Sequence, residues 1–165
     1  MSVVANPQDL KLYVDDAVVT VFENMLGMMI DPSRYLANLT VGEPQVIGMV
    51  SITGATQGVV CLRVSQLFSN LATSVMLDMD EELISEPDVN DVVGELTNMI
   101  AGKVKAALST GREVCGLSLP TIARGRKIDL ESVSGVKRHS FAFSHETGAV
   151  VLEIYSLNKP EKKYE

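Results

Sequence analysis

Two polar residues, Glu95 and Asn98, stand out because their types and spacing suit contact with another molecule. Residues three apart are neighbours on the surface of an α-helix, and Gly102 follows one turn later. An asparagine side chain donates and accepts hydrogen bonds, whereas an ionised glutamate only accepts them. These two residues alone cannot supply a nucleophile, a metal ion and a clamp for a developing negative charge. If the chain catalyses a reaction, its partner must bring most of the chemical groups. The alternative is that both residues are ordinary exposed positions of a helix that packs on a core.

A long amphipathic helix must carry these residues. At about 100° per residue, the apolar side chains between residues 89 and 104 fall on one side of the helix. The opposite side, called the polar face below, carries Asp91, Glu95, Asn98, Gly102 and Lys105. Either Ser85 or Asp88 could cap the helix start, and the position after Pro87 favours Asp88.

Other segments predict a mixture of helices and strands. Apolar residues recur at helical spacing from residue 9 to about 29, and a second helix is predicted from a Ser65 cap to about Met79. Hairpins are predicted over 45–52 with 58–64, and over 135–145 with 149–157 around a turn at 146–148. Residues 112–120 form a further candidate strand, and the tail 158–165 is expected to be frayed. This order predicts an α+β fold, with helices packed on an antiparallel or mixed sheet.

Composition favours one globular domain over residues 1–165. Apolar residues make up 46% of the chain and charged residues 21%, and the net charge of −7 argues against broad nucleic-acid binding. No apolar run is long enough to cross a bilayer, and the first residues lack the features of a secretion signal. Cys61 and Cys115 lie in apolar runs without Cys-x-x-Cys pairing. We therefore expect reduced core cysteines in a cytoplasmic protein.

Other candidate sites are weak. His139 and His145 have no partner at metal-ligand spacing, so no metal site is predicted. Gly102-Lys103 lacks the upstream glycine and the following Ser or Thr of a phosphate-binding loop. A short basic loop contains Arg124, Arg126 and Lys127. This loop could touch an acidic partner, but a solvated turn is the better explanation.

The polar face carries a recognisable pattern. Asp91, Glu95 and Asn98 form Asp-x-x-x-Glu-x-x-Asn, and Pro120 follows roughly twenty residues later. This pattern, with the flanking run VGELTNMIAGKVKAAL, resembles the CheC/CheX/FliY family of phosphatases that act on the chemotaxis response regulator CheY. The resemblance is greatest to the CheX branch, because the first helix has adjacent Glu23 and Asn24 and therefore no second Glu-x-x-Asn.

The resemblance implies a fold with long antiparallel helices on one side of the sheet, and hydrolysis of the regulator's aspartyl phosphate. The regulator would supply the phosphoryl group, Mg²⁺ and a lysine, and this chain would bind no cofactor. Asn98 would hold the attacking water in line with phosphorus, and Glu95 would dock to the regulator's lysine. The resemblance also implies a homodimer.

The remaining residues of the pattern have less direct roles. Asp91 would position the two motif residues or support the helix start. Gly94 and Gly102 suit close approach of a partner backbone, or packing within the fold, and Pro120 is expected to be structural. Two alternatives stay open: a non-enzymatic module that binds a regulator or a flagellar-switch component, and an unrelated α+β ligand-binding domain.

Overall fold

Apolar periodicity and turn residues give three α-helices and seven strands in the described part of the chain. The computed structural model describes residues 7–33, 43–109 and 114–157. Its helices are α1 (Pro7–Leu26), α2 (Gln66–Leu77) and α3 (Glu86–Leu108), with a short 3₁₀ turn at Glu81–Leu83. Its strands are β1 (Asp31–Ser33), β2 (Gln45–Gly54), β3 (Gly58–Ser65), β4 (Cys115–Leu117), β5 (Thr121–Gly125), β6 (Val136–His145) and β7 (Gly148–Leu157).

The strands form a single antiparallel sheet. Their order is β1-β6-β7-β3-β2, and β2 pairs on its outer side with β4 at one end and with β5 at the other. Both predicted hairpins are present, β2 with β3 and β6 with β7. In the second hairpin His145 pairs with Gly148 across a two-residue turn. Gly148 has φ +138, a conformation that side-chain-bearing residues rarely adopt.

The helices pack on one face of this sheet, which confirms the predicted α+β architecture. Alternate residues of the central strands point towards the helices and are almost fully buried. They are Val46, Val50 and Ile52 of β2, Val60, Leu62 and Val64 of β3, and Val150, Leu152 and Ile154 of β7. The start of α1 lies beside the end of α3, where Tyr13 and Asp16 share a hollow with Lys103 and Ala106. This contact is the one expected if α1 and α3 run antiparallel, because the start of one helix then lies beside the end of the other.

A glycine lets α3 approach β2 closely. A Cβ atom on Gly48 would collide with Thr97 Oγ1 and lie 3.2 Å from Val93 Cγ1. Thr97 is fully buried, and its hydroxyl donates a hydrogen bond to the Val93 carbonyl at 2.6 Å. Gly48 therefore sets the distance between α3 and the sheet.

The other face of the sheet carries a second, smaller core. Ile47, Cys61 and Tyr155 pack there beneath Ile128 and Leu130. Burial is the main cause that raises the pKa of the Cys61 thiol to about 12. Cys115 is only partly buried, at the sheet edge.

A buried carboxylate extends this second core. Glu153 is 2% exposed and accepts hydrogen bonds from Arg63 at 3.5 Å, from the Tyr155 hydroxyl at 3.2 Å and from Arg138. Two guanidinium groups offset the cost of removing this charge from water. Periodicity did not predict the cluster, because its members come from three strands.

Several element boundaries differ from the predicted ones. Helix α1 covers Pro7–Leu26 rather than 9–29, and Gly27, with φ +61, follows its last residue. Helix α2 begins after Ser65 as predicted, and the Ser65 hydroxyl accepts the Phe68 N–H at 3.0 Å. It ends at Leu77, before Asp78 in the left-handed conformation.

The predicted Asp88 cap of α3 is wrong, because Ser85 occupies that position. The Ser85 hydroxyl accepts the Asp88 N–H at 3.3 Å, and the Asp88 carboxylate accepts the Ser85 N–H at 2.8 Å. Pro87 does not mark the boundary, because a proline in the first turn lacks only an N–H that has no partner inside the helix. The reciprocal pair is a capping box.

The candidate strand over 112–120 is also corrected. Only Cys115–Leu117 pairs with β2 there, and a separate strand, β5, follows Pro120. Residues 112 and 113, like the tail 158–165, lie outside the described residues. No helix in the described ranges is both long and apolar enough to span a membrane.

Candidate functional site

Helix α3 presents its polar residues to solvent because its opposite side is buried in the core. Asp91 and Glu95 are exposed, and Asn98 and Gly102 are half-buried. Within the described residues, neither the Glu95 nor the Asn98 side chain makes a hydrogen bond or an ion pair. Both groups can therefore form their polar contacts with a partner.

The segment of residues 115–120, called the flanking segment below, runs alongside α3. The Lys105 ammonium group donates a hydrogen bond to the Cys115 carbonyl at 3.2 Å. A Cβ atom on Gly102 would lie 4.0 Å from the Leu117 side chain. The flanking segment thus forms one wall beside the polar face.

Gly94 packs against the flanking segment. It is buried, and a Cβ atom there would lie 3.3 Å from the Pro120 ring. This contact favours packing within the fold, the second role expected for Gly94, over close approach of a partner backbone. The small residue serves packing within the fold, and the structural role expected of Pro120 is visible in this contact.

Serine side chains fix the flanking segment to the sheet. The Ser118 N–H donates to the Ser51 carbonyl at 2.9 Å, and the Ser51 N–H donates to the Ser118 hydroxyl oxygen at 2.9 Å. The Ser118 hydroxyl also donates to the Leu119 carbonyl at 2.9 Å. These bonds tie the flanking segment to β2 between its contacts with Gly102 and Gly94.

Arg124 holds the start of α3. It lies in β5, half-buried, and not in the solvated basic turn that the sequence suggested. Its guanidinium group donates to Gln66 Oε1 at 3.2 Å, to the Glu86 carbonyl at 3.3 Å and to Asn90 Oδ1, and it lies 3.5 Å from the Glu86 carboxylate. No local pattern indicates this role, because the partners of Arg124 lie on two helices distant along the chain.

The histidines have local surroundings. His145 contacts the Thr147 hydroxyl at 2.8 Å and packs its edge against Phe68, and His139 stacks on Phe141. Burial, followed by the charge of Lys137, lowers the pKa of His139. Within the described ranges, no group of three or more His, Cys, Asp or Glu residues could hold a metal ion.

The side chains on the polar face can therefore orient a reacting group and contact a partner protein, but they include no nucleophile. The polar face offers a carboxylate and a carboxamide on one rigid helix, beside a fixed wall. Helix α1 offers Glu23 and Asn24, both exposed, but at adjacent positions that point in different directions around the helix.

Similar solved structures share this fold. A CheC-like superfamily protein from Shewanella sp. PV-4 is 26% identical, with 91% of this chain and 98% of that chain covered and a TM-score of 0.74. The chemotaxis protein CheX of Desulfovibrio desulfuricans is 23% identical, with coverages of 90% and 99% and a TM-score of 0.71. A CheX–CheY–BeF₃–Mg²⁺ complex from Borrelia burgdorferi contains a chain that is 18% identical, with coverages of 90% and 97% and a TM-score of 0.69.

The comparison with curated proteins gives no match. The comparison with protein families does: the model described as chemotaxis phosphatase CheX matches residues 46–144. This range extends from β2 into β6 and includes all of α3 and the flanking segment. The chain therefore belongs to the CheX family of chemotaxis phosphatases.

Proposed function

We propose that this protein hydrolyses the aspartyl phosphate of a CheY-type response regulator in the cytoplasm. The observation that carries the proposal is the polar face of α3, where Glu95 and Asn98 stand exposed or half-exposed without partners in the described chain. Membership of the CheX family supports a phosphatase role, and the Borrelia complex pairs a CheX with CheY.

Asn98 would act by positioning water. The side-chain oxygen accepts a hydrogen bond from the water, while the amide group can donate to the phosphoryl site. Water oxygen then attacks phosphorus, the bond between phosphorus and the aspartate oxygen breaks, and the regulator recovers its carboxylate as inorganic phosphate leaves. Holding the water in line removes much of the entropic cost of this attack.

Glu95 would act mainly by docking. It lies one turn before Asn98, so a lysine of the regulator that pairs with Glu95 would fix the register in which Asn98 enters the phosphoryl site. Mg²⁺ bound by the regulator would neutralise charge on the phosphoryl oxygens. The described residues of this chain offer no comparable donor set.

We also infer that two copies of the chain associate. Strand β1 pairs with only three residues of β6, Ala142 to Ser144. Among the described residues, the outer edge of β6 from Val136 to Phe141 has no strand partner. An open edge of this length favours pairing with another strand, and a two-fold mate would cover both edges at once.

The test of the proposed function is the lifetime of the phosphorylated regulator. CheY from the same organism is phosphorylated with a small-molecule donor and mixed with this protein in the presence of Mg²⁺. We expect faster release of inorganic phosphate, in proportion to the protein concentration. Binding of the regulator without any shortening of the lifetime would instead establish a non-enzymatic interaction module.

A further inference from the structure

The exposed Leu119 side chain lies beside the polar face in a position that packing within the described chain does not explain. It is 88% exposed, although leucine gains from leaving water. Single exposed leucines are common on protein surfaces. The position and the fixed backbone of this one set it apart.

Two contacts locate Leu119 along α3. The Leu117 side chain lies close to Gly102, and the Pro120 ring packs against Gly94. Eight helical residues rise about 12 Å, and three residues of extended chain span about 10 Å, so the flanking segment runs along the helix at nearly full stretch. Leu119 therefore lies between these two contacts, level with the part of α3 that carries Glu95 and Asn98.

The backbone of Leu119 is held on both sides. Ser118 pairs with Ser51 through two hydrogen bonds of 2.9 Å, and its hydroxyl binds the Leu119 carbonyl. Pro120 packs on Gly94, and its ring fixes its own φ angle. An apolar side chain on a fixed backbone loses little conformational freedom when a partner covers it, which favours binding.

We propose that Leu119 is a docking residue for the regulator and contacts an apolar patch beside its phosphorylation site. This inference rests on the proposed function, because it places the regulator on the polar face of α3. A regulator whose phosphoryl site receives Asn98 must also cover the flanking segment. Leu119 then adds apolar affinity and helps select the regulator, while Glu95 supplies the charged contact.

The experiment measures affinity and hydrolysis separately in Leu119→Ser and Leu119→Met. The probe is CheY from the same organism, labelled with a fluorophore and held in its active state by BeF₃⁻ and Mg²⁺. Val133→Ser is the matched control, because Val133 is 74% exposed and follows the segment that covers the opposite face of the sheet. Thermal unfolding and light scattering establish that all variants fold and keep the wild-type oligomeric state.

We expect Leu119→Ser to weaken CheY binding by about tenfold or more, and Leu119→Met and Val133→Ser to bind within about twofold of wild type. At sub-saturating protein, the rate of dephosphorylation by Leu119→Ser should fall in step with its affinity for CheY. Wild-type-like affinity of Leu119→Ser would overturn the inference, as would an affinity that falls only because the oligomeric state changes. If the wild-type protein binds CheY without hydrolysing its phosphate, the proposed function fails while the affinity of Leu119→Ser still decides the docking role.

Discussion

Glu95 and Asn98 differ in exposure, and this difference suits two separate roles. Glu95 is exposed, so its carboxylate stays hydrated and can reach a cation on an approaching protein. Asn98 is half-buried beside the flanking segment, so its side chain has fewer rotamers to lose when it enters a partner's site. Docking tolerates a mobile charge, whereas holding a water in line requires a fixed carboxamide.

At Glu95 we predict a loss of binding. Glu95→Ala should weaken the complex with CheY by about 1–3 kcal/mol, because a charge-assisted contact at the interface is lost. The free energy of unfolding should change by less than about 0.5 kcal/mol, since the side chain is exposed. Titration of CheY bound to BeF₃⁻ and Mg²⁺ measures the effect. Glu23→Ala, an exposed glutamate on α1, is the control, and an equal loss in both variants would refute a specific docking role.

At the scale of elements, the site depends on how α3 sits on the sheet. Gly48→Ala should reduce the free energy of unfolding by about 1–3 kcal/mol, because the new methyl group overlaps Thr97 and pushes α3 away from β2. Gly102→Ala, on α3, is the control. Among the described residues, a Cβ there meets only Leu117, at 4.0 Å, so we expect stability to stay unchanged or rise by up to about 1 kcal/mol. Urea unfolding of both variants tests this, and a neutral Gly48→Ala would contradict the close packing.

The capping box of α3 predicts a dependence of stability on pH. The Asp88 carboxylate accepts hydrogen bonds from the hydroxyl and the N–H of Ser85, and these bonds lower its pKa below the ordinary 3.8. A carboxyl whose pKa is lower in the folded state stabilises the fold above the unfolded pKa, and this contribution is lost as pH falls through the folded pKa.

Asp88→Asn should therefore reduce stability at neutral pH and flatten the decline in stability below about pH 4. Unfolding free energies of wild type and variant, measured from neutral pH to acid, give the two curves. Parallel curves would show that the carboxylate does not contribute in this way.

Local patterns account for the elements that could be predicted from sequence. The spacing of apolar residues gave α3 and its polar face, and β-branched runs with short turns gave both hairpins. Contacts between distant segments could not be predicted, because nothing in the sequence near Arg124 or Gly94 indicates Asn90 or Pro120 as the partner. Ser85 and Asp88 are both good capping residues, so the sequence alone does not select between them. The reciprocal hydrogen bonds between these two residues identify Ser85 as the cap.

At the scale of the whole molecule, the edge of β6 that has no strand partner among the described residues predicts a homodimer. Light scattering at micromolar concentration should give twice the 17.8 kDa of one chain. Proline is introduced separately at His139 and at Ser140. The N–H groups of successive strand residues point to opposite sides, so one of these two N–H groups points away from β7 and towards the proposed dimer partner. One variant should dissociate the dimer while keeping its fold, and the other should mainly weaken the fold. A wild-type protein that remains at 17.8 kDa would contradict the proposed pairing.

The most direct test of the water-positioning role is single-turnover dephosphorylation of CheY by Asn98→Ala at saturating protein. Asn24→Ala, which removes an exposed carboxamide from α1, is the matched control. If Asn98 holds the attacking water, Asn98→Ala should slow hydrolysis by about 100-fold or more while its affinity for CheY bound to BeF₃⁻ and Mg²⁺ stays close to that of wild type. Hydrolysis by Asn98→Ala at a rate near that of wild type and Asn24→Ala would contradict the mechanism.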